Sequence, residues 1–395
     1  MKIKLIGIAL VAVTAAAVTF YPAVRSAAVG GTPPAGQAQG AQKIEVVFVL
    51  DTTSSMTGLI ETAKEKIWSI ATTMARAEQA PEIRMGLVAY RDRGDEYVTR
   101  VVDLSTDLDS MYATLMQFAA VGGGDGPESV NEALDGAINA ISWSQDSSSY
   151  RVVFLVGDAP PHMDYFGERR YPEILRDAVA KGIVVNTIQC GELQQTIGPW
   201  TEIARLGGGR YMKVGQAGDA FAVATPFDAE LAELSAELDR TRLFYGSDEE
   251  RAQRLEEVVV TGSIIAAAPE AAQAGRAMYF NSTAAGAASL FADKDLVEDV
   301  TSGRVDLQEL PATELPEPLR ALDSAERAAE VAAIAGKRAE LRERIDALGT
   351  SRAAYIEEKV AEAGGADDSL DRKIYEAVSD QAAAKGLTYE AGPAF

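Results

Sequence analysis

Asp51, Thr53 and Ser55 alternate along the segment Asp51-Thr52-Thr53-Ser54-Ser55, directly after the apolar run IEVVFVL (44–50). Where a chain turns off a strand, that spacing can bring three side-chain oxygens toward one point. Two more oxygen-bearing loops follow: Gly122-Gly123-Gly124-Asp125-Gly126-Pro127-Glu128, and Gly157-Asp158-Ala159-Pro160-Pro161 directly after RVVFLVG (151–157). Carboxylates and hydroxyls without Cys or His partners suit a hard cation such as Mg²⁺, Mn²⁺ or Ca²⁺. Thr and Ser hydroxyls are neutral, so a site built this way carries few charges and leaves a position for an outside carboxylate. Each loop also has a plainer use. DTTSS can cap a helix N-terminus. GGGDGPE resembles a phosphate cradle, but it lacks both G-x-G-x-x-G and the lysine of a P-loop. His162, after two prolines, reads as a lone surface histidine rather than a ligand.

The elements that must position these loops come from four apolar runs, at 44–50, 85–90, 151–157 and 182–189. They are rich in Val and Ile and mostly lack polar alternation, as in parallel strands covered on both faces. VTRVVDLS (98–105) alternates enough for an edge strand beside the second run. Helical patterns separate the strands at Thr57 to Glu78, Leu108 to Ala120, Glu128 to Ile141 and Tyr171 to Lys181. This order predicts an α/β fold, a doubly wound and mostly parallel sheet with helices on both faces. Ligands of such sheets bind at the carboxyl ends of the strands, where the winding reverses.

The D-x-[ST]-x-S segment after a buried strand, the Gly-rich second loop and the aspartate after a later strand together resemble the von Willebrand factor A (vWA) domain over about 43–225. LVAYRDRGDEY (87–97) and VGDAPPHMDY (156–165) are similar to its bacterial branch. The resemblance implies a metal-ion-dependent adhesion site, with Asp51, Thr53 and Ser55 in its first loop and Asp158 in its third. A divalent cation, Mg²⁺ first, would bridge the domain to an acidic side chain of a protein partner. Many members place a threonine in the second loop. GGGDGPE has none, so Asp125 is taken as the replacement ligand, with Glu128 as the alternative.

The chain has 395 residues, 47% hydrophobic and 24% charged, which is ordinary globular usage for two or three domains. Its 37 Lys plus Arg against 59 Asp plus Glu give a net charge of −22. That balance argues against nucleic-acid binding and against an anionic membrane surface. One cysteine and one histidine rule out an internal disulfide and a His-rich zinc site.

Residues 1–28 read as an export signal: Lys2 and Lys4, then an apolar run from Leu5 to Phe20, then the small residues of VRSAA. An uncleaved anchor over 5–24 is the alternative, and the only route to membrane contact. Residues 29–42 read as a flexible linker. Residues 226–395 form an acidic, mainly helical region, with 18 Lys plus Arg against 34 Asp plus Glu. Within it, 258–288 resolves only into small helical pieces. Asp323 to Ala363 is the longest helical signal, and Asp323 with Glu326 makes a capping box. Glu340 is placed to pair with Arg344. Ile334, Leu341, Leu348 and Tyr355 follow a seven-residue interval, while Arg338 and Arg352 interrupt the companion series. With Gly336 and Gly349 inside, this segment reads as a short helical hairpin packing on a neighbour rather than a long coiled coil.

The function expected is an exported or envelope-associated, non-enzymatic protein that binds a protein partner through the cation; no small-molecule substrate is expected. Two alternatives stand beside it. One is a scaffold whose A-type site is degenerate. The other is a metal-dependent phosphohydrolase with Asp51 as nucleophile, comparable to haloacid-dehalogenase-like phosphatases, although those want an acid where Thr53 stands.

Overall fold

The computed structural model describes residues 42–124, 126–216, 223–291, 294–362, 369–389 and 392. Residues 1–28, expected to be an export signal, the anchor alternative over 5–24 and all but the last residue of the expected linker lie outside the described residues. Six strands form one sheet: β1 (Lys43–Asp51), β2 (Glu82–Tyr90), β3 (Thr99–Ser105), β4 (Tyr150–Gly157), β5 (Ile183–Cys190) and β6 (Gly208–Val214). Their order is β3-β2-β1-β4-β5-β6, and every pairing is parallel except β2 with β3. The chain winds outward from β1 to one side, then returns to lay β4 against β1 on the other. The reversal therefore falls between β1 and β4, whose carboxyl ends carry the first and third oxygen-bearing loops.

Period-two alternation sorts each central strand into two cores. On one face Ile44, Val46, Phe48 and Leu50 of β1 pack under α1 (Thr57–Ala75) and α2 (Leu108–Met116). On the other, Val47 and Val49 pack with Leu134 of α3 (Val130–Asp135), Ile174 of α4 (Tyr171–Ala180) and Trp200 of α5 (Gln194–Leu206). A π turn over Gly136–Ala140 ends α3 early, inside the span expected for a longer helix. Strand β6 and helix α5 were absent from the sequence reading. The first is GGRYMKV, with little apolar signal, and the second carries Pro199 in its interior.

The remaining helices are α6 (Asp228–Asp239), α7 (Asp248–Ala266), α8 (Glu270–Ser282), α9 (Ala284–Leu290), α10 (Leu296–Thr301), α11 (Glu317–Arg320), α12 (Ser324–Glu362) and α13 (Leu370–Ala383). The segment 258–288, unassigned from sequence beyond small pieces, holds the end of α7, all of α8 and most of α9. Helices α8 and α9 extend the first core, whereas Leu296 and Val297 of α10, Leu319 of α11 and Val331 of α12 form a small separate one. Trp68 of α1 meets Tyr112 of α2 and Tyr279 and Phe280 of α8, with ring centroids 5.4–5.7 Å apart. Arg276 of α8 is buried, and its guanidinium grips both carboxylate oxygens of Asp109 on α2 at 2.6 Å. It also donates to Ser235 and Asp239 of α6. Helix α13 returns to α1 through the buried Lys66–Asp371 pair, 3.0 Å.

Three expectations for the long helical segment are corrected. It is one continuous helix of 39 residues, not a hairpin. Gly349 lets α12 approach α8, since a Cβ there would overlap the Met278 thioether. Arg344 reaches Glu230 of α6 at 3.1 Å rather than pairing with Glu340. The arginines that interrupt the heptad are packed too: Arg338 is buried against Asp295 and Thr241, and Arg352 donates to Asp228 at 2.8 Å. The expected capping box forms, with Asp323 accepting from the Glu326 amide and Glu326 accepting from that of Asp323.

Candidate functional site

At the end of β1, Asp51 is fully buried. Its Oδ1 accepts from the Thr53 amide at 2.9 Å and from Thr53 Oγ1 at 2.6 Å. Thr53 Oγ1 lies 3.2 Å from Ser55 Oγ, so the three alternating residues do bring their oxygens together. The second loop is laced onto the first by backbone bonds from Val121 to Thr52 and from Ser54 to Gly122. Gly123 has φ +77°, and a Cβ there would lie 3.0 Å from Thr53 Cβ and 3.3 Å from Glu128 Oε1. Only glycine fits a left-handed turn so close to two side chains.

Glu128 is joined to the third loop by main-chain bonds, its amide to the Pro160 carbonyl and its carbonyl from the His162 amide. Those bonds fix a buried side chain facing the first loop. Asp125, the residue taken as the replacement ligand, lies outside the described residues. In the third loop, Gly157 admits no side chain, because a Cβ would overlap the Tyr90 hydroxyl and stand 3.0 Å from Asp51 Cβ. Asp158 is half-buried; its Oδ2 accepts from Gln216 Nε2 at 2.8 Å, and the same amide donates to the Ser55 carbonyl at 3.0 Å.

Three buried polar atoms in this group have no hydrogen-bond partner: Asp51 Oδ2, Glu128 Oε2 and the Tyr90 hydroxyl. Buried polar atoms are nearly always paired, because leaving one unpaired costs its whole desolvation. The electrostatics show the same tension. Burial, then the charge of Asp158, lifts the Asp51 carboxyl to about 7 against the opposing bonds from Thr53 and a weaker pull from the Asp158 amide. Burial, then the charges of Asp51, Asp92, Asp95 and Asp158, pushes Glu128 up to about 9. Tyr90 is held well above its ordinary value by burial and by Asp51, Glu128 and Asp158. Acidic groups so placed are relieved either by protons or by a cation. Two carboxylate oxygens without donors, beside two hydroxyls, fit a hard divalent cation. Among the described residues no three His, Cys, Asp or Glu side chains cluster as a metal centre, so any such site must draw on Thr53 and Ser55 as well.

His162 corrects an expectation: it is buried, not on the surface. It stacks on Tyr165 with ring centroids 4.0 Å apart, and its Nδ1 lies 2.8 Å from Asp164. Tyr165 donates to Asp92, which also accepts from Ser129, the residue after Glu128. This cluster braces the second and third loops. Asp92, Tyr90 and Gln216 were not singled out from sequence. Asp92 and Tyr90 do lie in the YRDRGDEY segment, whose three acids and two aromatics beside a strand end were the available signal.

Residues 45–214 match the family model for the von Willebrand factor A domain. With the fold above, this part of the chain is a vWA domain, a class that commonly mediates protein–protein interaction and often binds divalent cations. A search of curated protein sequences finds no match. Among solved structures, proximal thread matrix protein 1 from the mussel byssus is similar in two crystal forms. Identities are 14% and 13%, TM-scores 0.33 and 0.32, with 44% and 45% of this chain covered. The alignments span 42% of that protein, and a likeness so distant supports no functional argument.

Proposed function

We propose that the vWA domain binds a protein partner through a divalent cation, Mg²⁺ first, held by Asp51, Thr53, Ser55 and Glu128, with Asp158 beside them from the third loop rather than as a third carboxylate ligand. The observation that carries this reading is the pair of buried carboxylate oxygens without donors, Asp51 Oδ2 and Glu128 Oε2. Asp51 and Glu128 would supply the charge, and Thr53 and Ser55 neutral oxygens. Gln216 orients Asp158 by occupying its Oδ2. A bound cation would supply a positive centre with a position open to an outside carboxylate. The role is binding rather than catalysis. Thr53 occupies the place where an aspartyl phosphatase wants its acid, and its hydroxyl is committed to Asp51. Residues 1–28 support export of the chain, and N-terminal sequencing of the mature protein tests that part.

The cation is tested by thermal unfolding in chelator and then in excess Mg²⁺, Mn²⁺ or Ca²⁺. At 100 times its dissociation constant, a cation bound only by the folded state adds about 2.7 kcal/mol. The expected rise is several degrees, at roughly 2–4 °C per kcal/mol. No rise with any of the three ions refutes cation binding and moves the scaffold reading forward.

A further inference from the structure

Gln216 follows the end of β6, and the parallel pairing of β6, β5, β4 and β1 puts it on the edge that carries the first and third loops. The residue is exposed, yet its side-chain amide is committed to two other segments. Nε2 donates to the Ser55 carbonyl at 3.0 Å and to Asp158 Oδ2 at 2.8 Å. Both neighbours only accept, so the amide has one orientation, with Oε1 turned the other way. Oε1 passes over Gly191, which follows β5 with φ +73°; a Cβ there would overlap it. A glycine thus leaves the path of the side chain open. Fixing an exposed glutamine costs rotamer entropy, and the bond to an ionised carboxylate is the kind strong enough to offset it.

The same bond constrains Asp158. Its loop leaves β4, the neighbour of β1, and its charge is felt at both Asp51 and Glu128. Asp158 is therefore close to the site, yet among the described residues no three acids gather as a metal centre. One of its two carboxylate oxygens is occupied by Gln216. Oxygen sites are tuned for hard cations by the number of charged ligands. A donor that holds one carboxylate aside lowers that number.

We propose that Gln216 sets the affinity of the cation site by holding Asp158 out of the ligand set, so that two carboxylates serve where three are within reach. The inference rests on the cation reading above and deepens it. Gln216 is a positioning residue that acts through Asp158. Releasing the amide and bringing Asp158 to the other ligands are coupled, so Gln216 weakens cation binding by the factor with which it favours the latched arrangement.

The test is calorimetric titration of Mg²⁺ into the cation-stripped full-length chain, for wild type, Gln216→Met, Asp158→Asn and the double variant. Methionine keeps the side chain's length and removes its donor. Gln216→Met should bind Mg²⁺ about tenfold more tightly, the order expected from one hydrogen bond to a carboxylate. In the Asp158→Asn background the same substitution should change affinity by less than about twofold, because the carboxylate it frees is gone. Gln216 is exposed, so Gln216→Met should keep the wild-type melting temperature in chelator. Unchanged or weaker binding by Gln216→Met, or a gain that survives Asp158→Asn, would overturn the proposal and leave the cation reading standing. A wild type with neither binding heat nor a melting shift in Mg²⁺, Mn²⁺ or Ca²⁺ refutes the cation reading, and this inference with it.

Discussion

Replacing Asp51 with Asn should raise the melting temperature in chelator and abolish the response to cations. Asp51 is completely buried, and its carboxyl rises from 3.8 to about 7 mainly through desolvation. For an acid whose folded value is raised, the unfolded chain releases its proton first as pH climbs. Stability is therefore full below the unfolded value and is lost progressively up to the folded one. Between 3.8 and about 7 that loss reaches about 4 kcal/mol, at about 1.4 kcal/mol per pH unit. Asn is neutral throughout and avoids it. Against this, Asn puts a buried NH₂ group where the unpaired Oδ2 stands, and leaving that donor unsatisfied costs about 1–2 kcal/mol. The balance at pH 8 is a gain of about 2–3 kcal/mol, or about 4–6 °C at the lower sensitivity of a large unit. Differential scanning calorimetry at pH 8, in chelator and in excess Mg²⁺, reads both effects. The variant should melt above wild type in chelator, and only wild type should move when Mg²⁺ is added. If the variant melts below wild type in chelator, Asp51 is not an uncompensated buried acid. If it keeps the wild-type response to Mg²⁺, Asp51 is not a ligand.

Wild type in chelator should lose stability as pH rises from 5 to 9, because Asp51 and Glu128 both hold their protons more tightly when folded. Saturating Mg²⁺ should flatten the slope, and Glu128→Gln should remove its upper part; a pH series of melting temperatures checks both. Arg276→Met leaves Asp109 and Asp239 without their buried guanidinium and should cost about 3–5 kcal/mol in urea unfolding, the loss typical of breaking a buried pair. Gly157→Ala drives a methyl into the Tyr90 hydroxyl and toward Asp51. It should cost about 1–3 kcal/mol and weaken the Mg²⁺-induced melting shift.

The central strands were legible because each is covered on both faces and must be apolar along its length. β6 lies at the sheet's edge, where glycines, Arg210 and Lys213 are tolerated, so its sequence carries no such signature. The long helix was misjudged for a related reason. Helix propensity counts Gly336 and Gly349 as breaks. Packing against α8 makes Gly349 a contact, since a larger residue there would have to push the Met278 side chain aside. Arg338 looked like a gap in an apolar stripe because its partner, Asp295, is 43 residues away.

The site divides in the same way. Asp51, Thr53 and Ser55 are local, and alternation along one turn was enough to bring their oxygens together. Glu128 could be named from sequence but not ranked, because its burial depends on backbone bonds to Pro160 and His162 in another loop. His162 was misplaced for the same cause: burial belongs to the surroundings, and Tyr165 and Asp92 supply them. The sequence by itself determined the alternation of strands and helices, the edge of the sheet that carries the oxygen-bearing loops, and the acidic balance that disfavours polyanionic partners. The tertiary structure decided which buried carboxylate oxygens lack donors, and that part of the C-terminal helical region shares the sheet's core while part forms its own. The physical reason is range: periodicity and turn chemistry act over a few residues, whereas desolvation and pairing depend on segments the fold brings together.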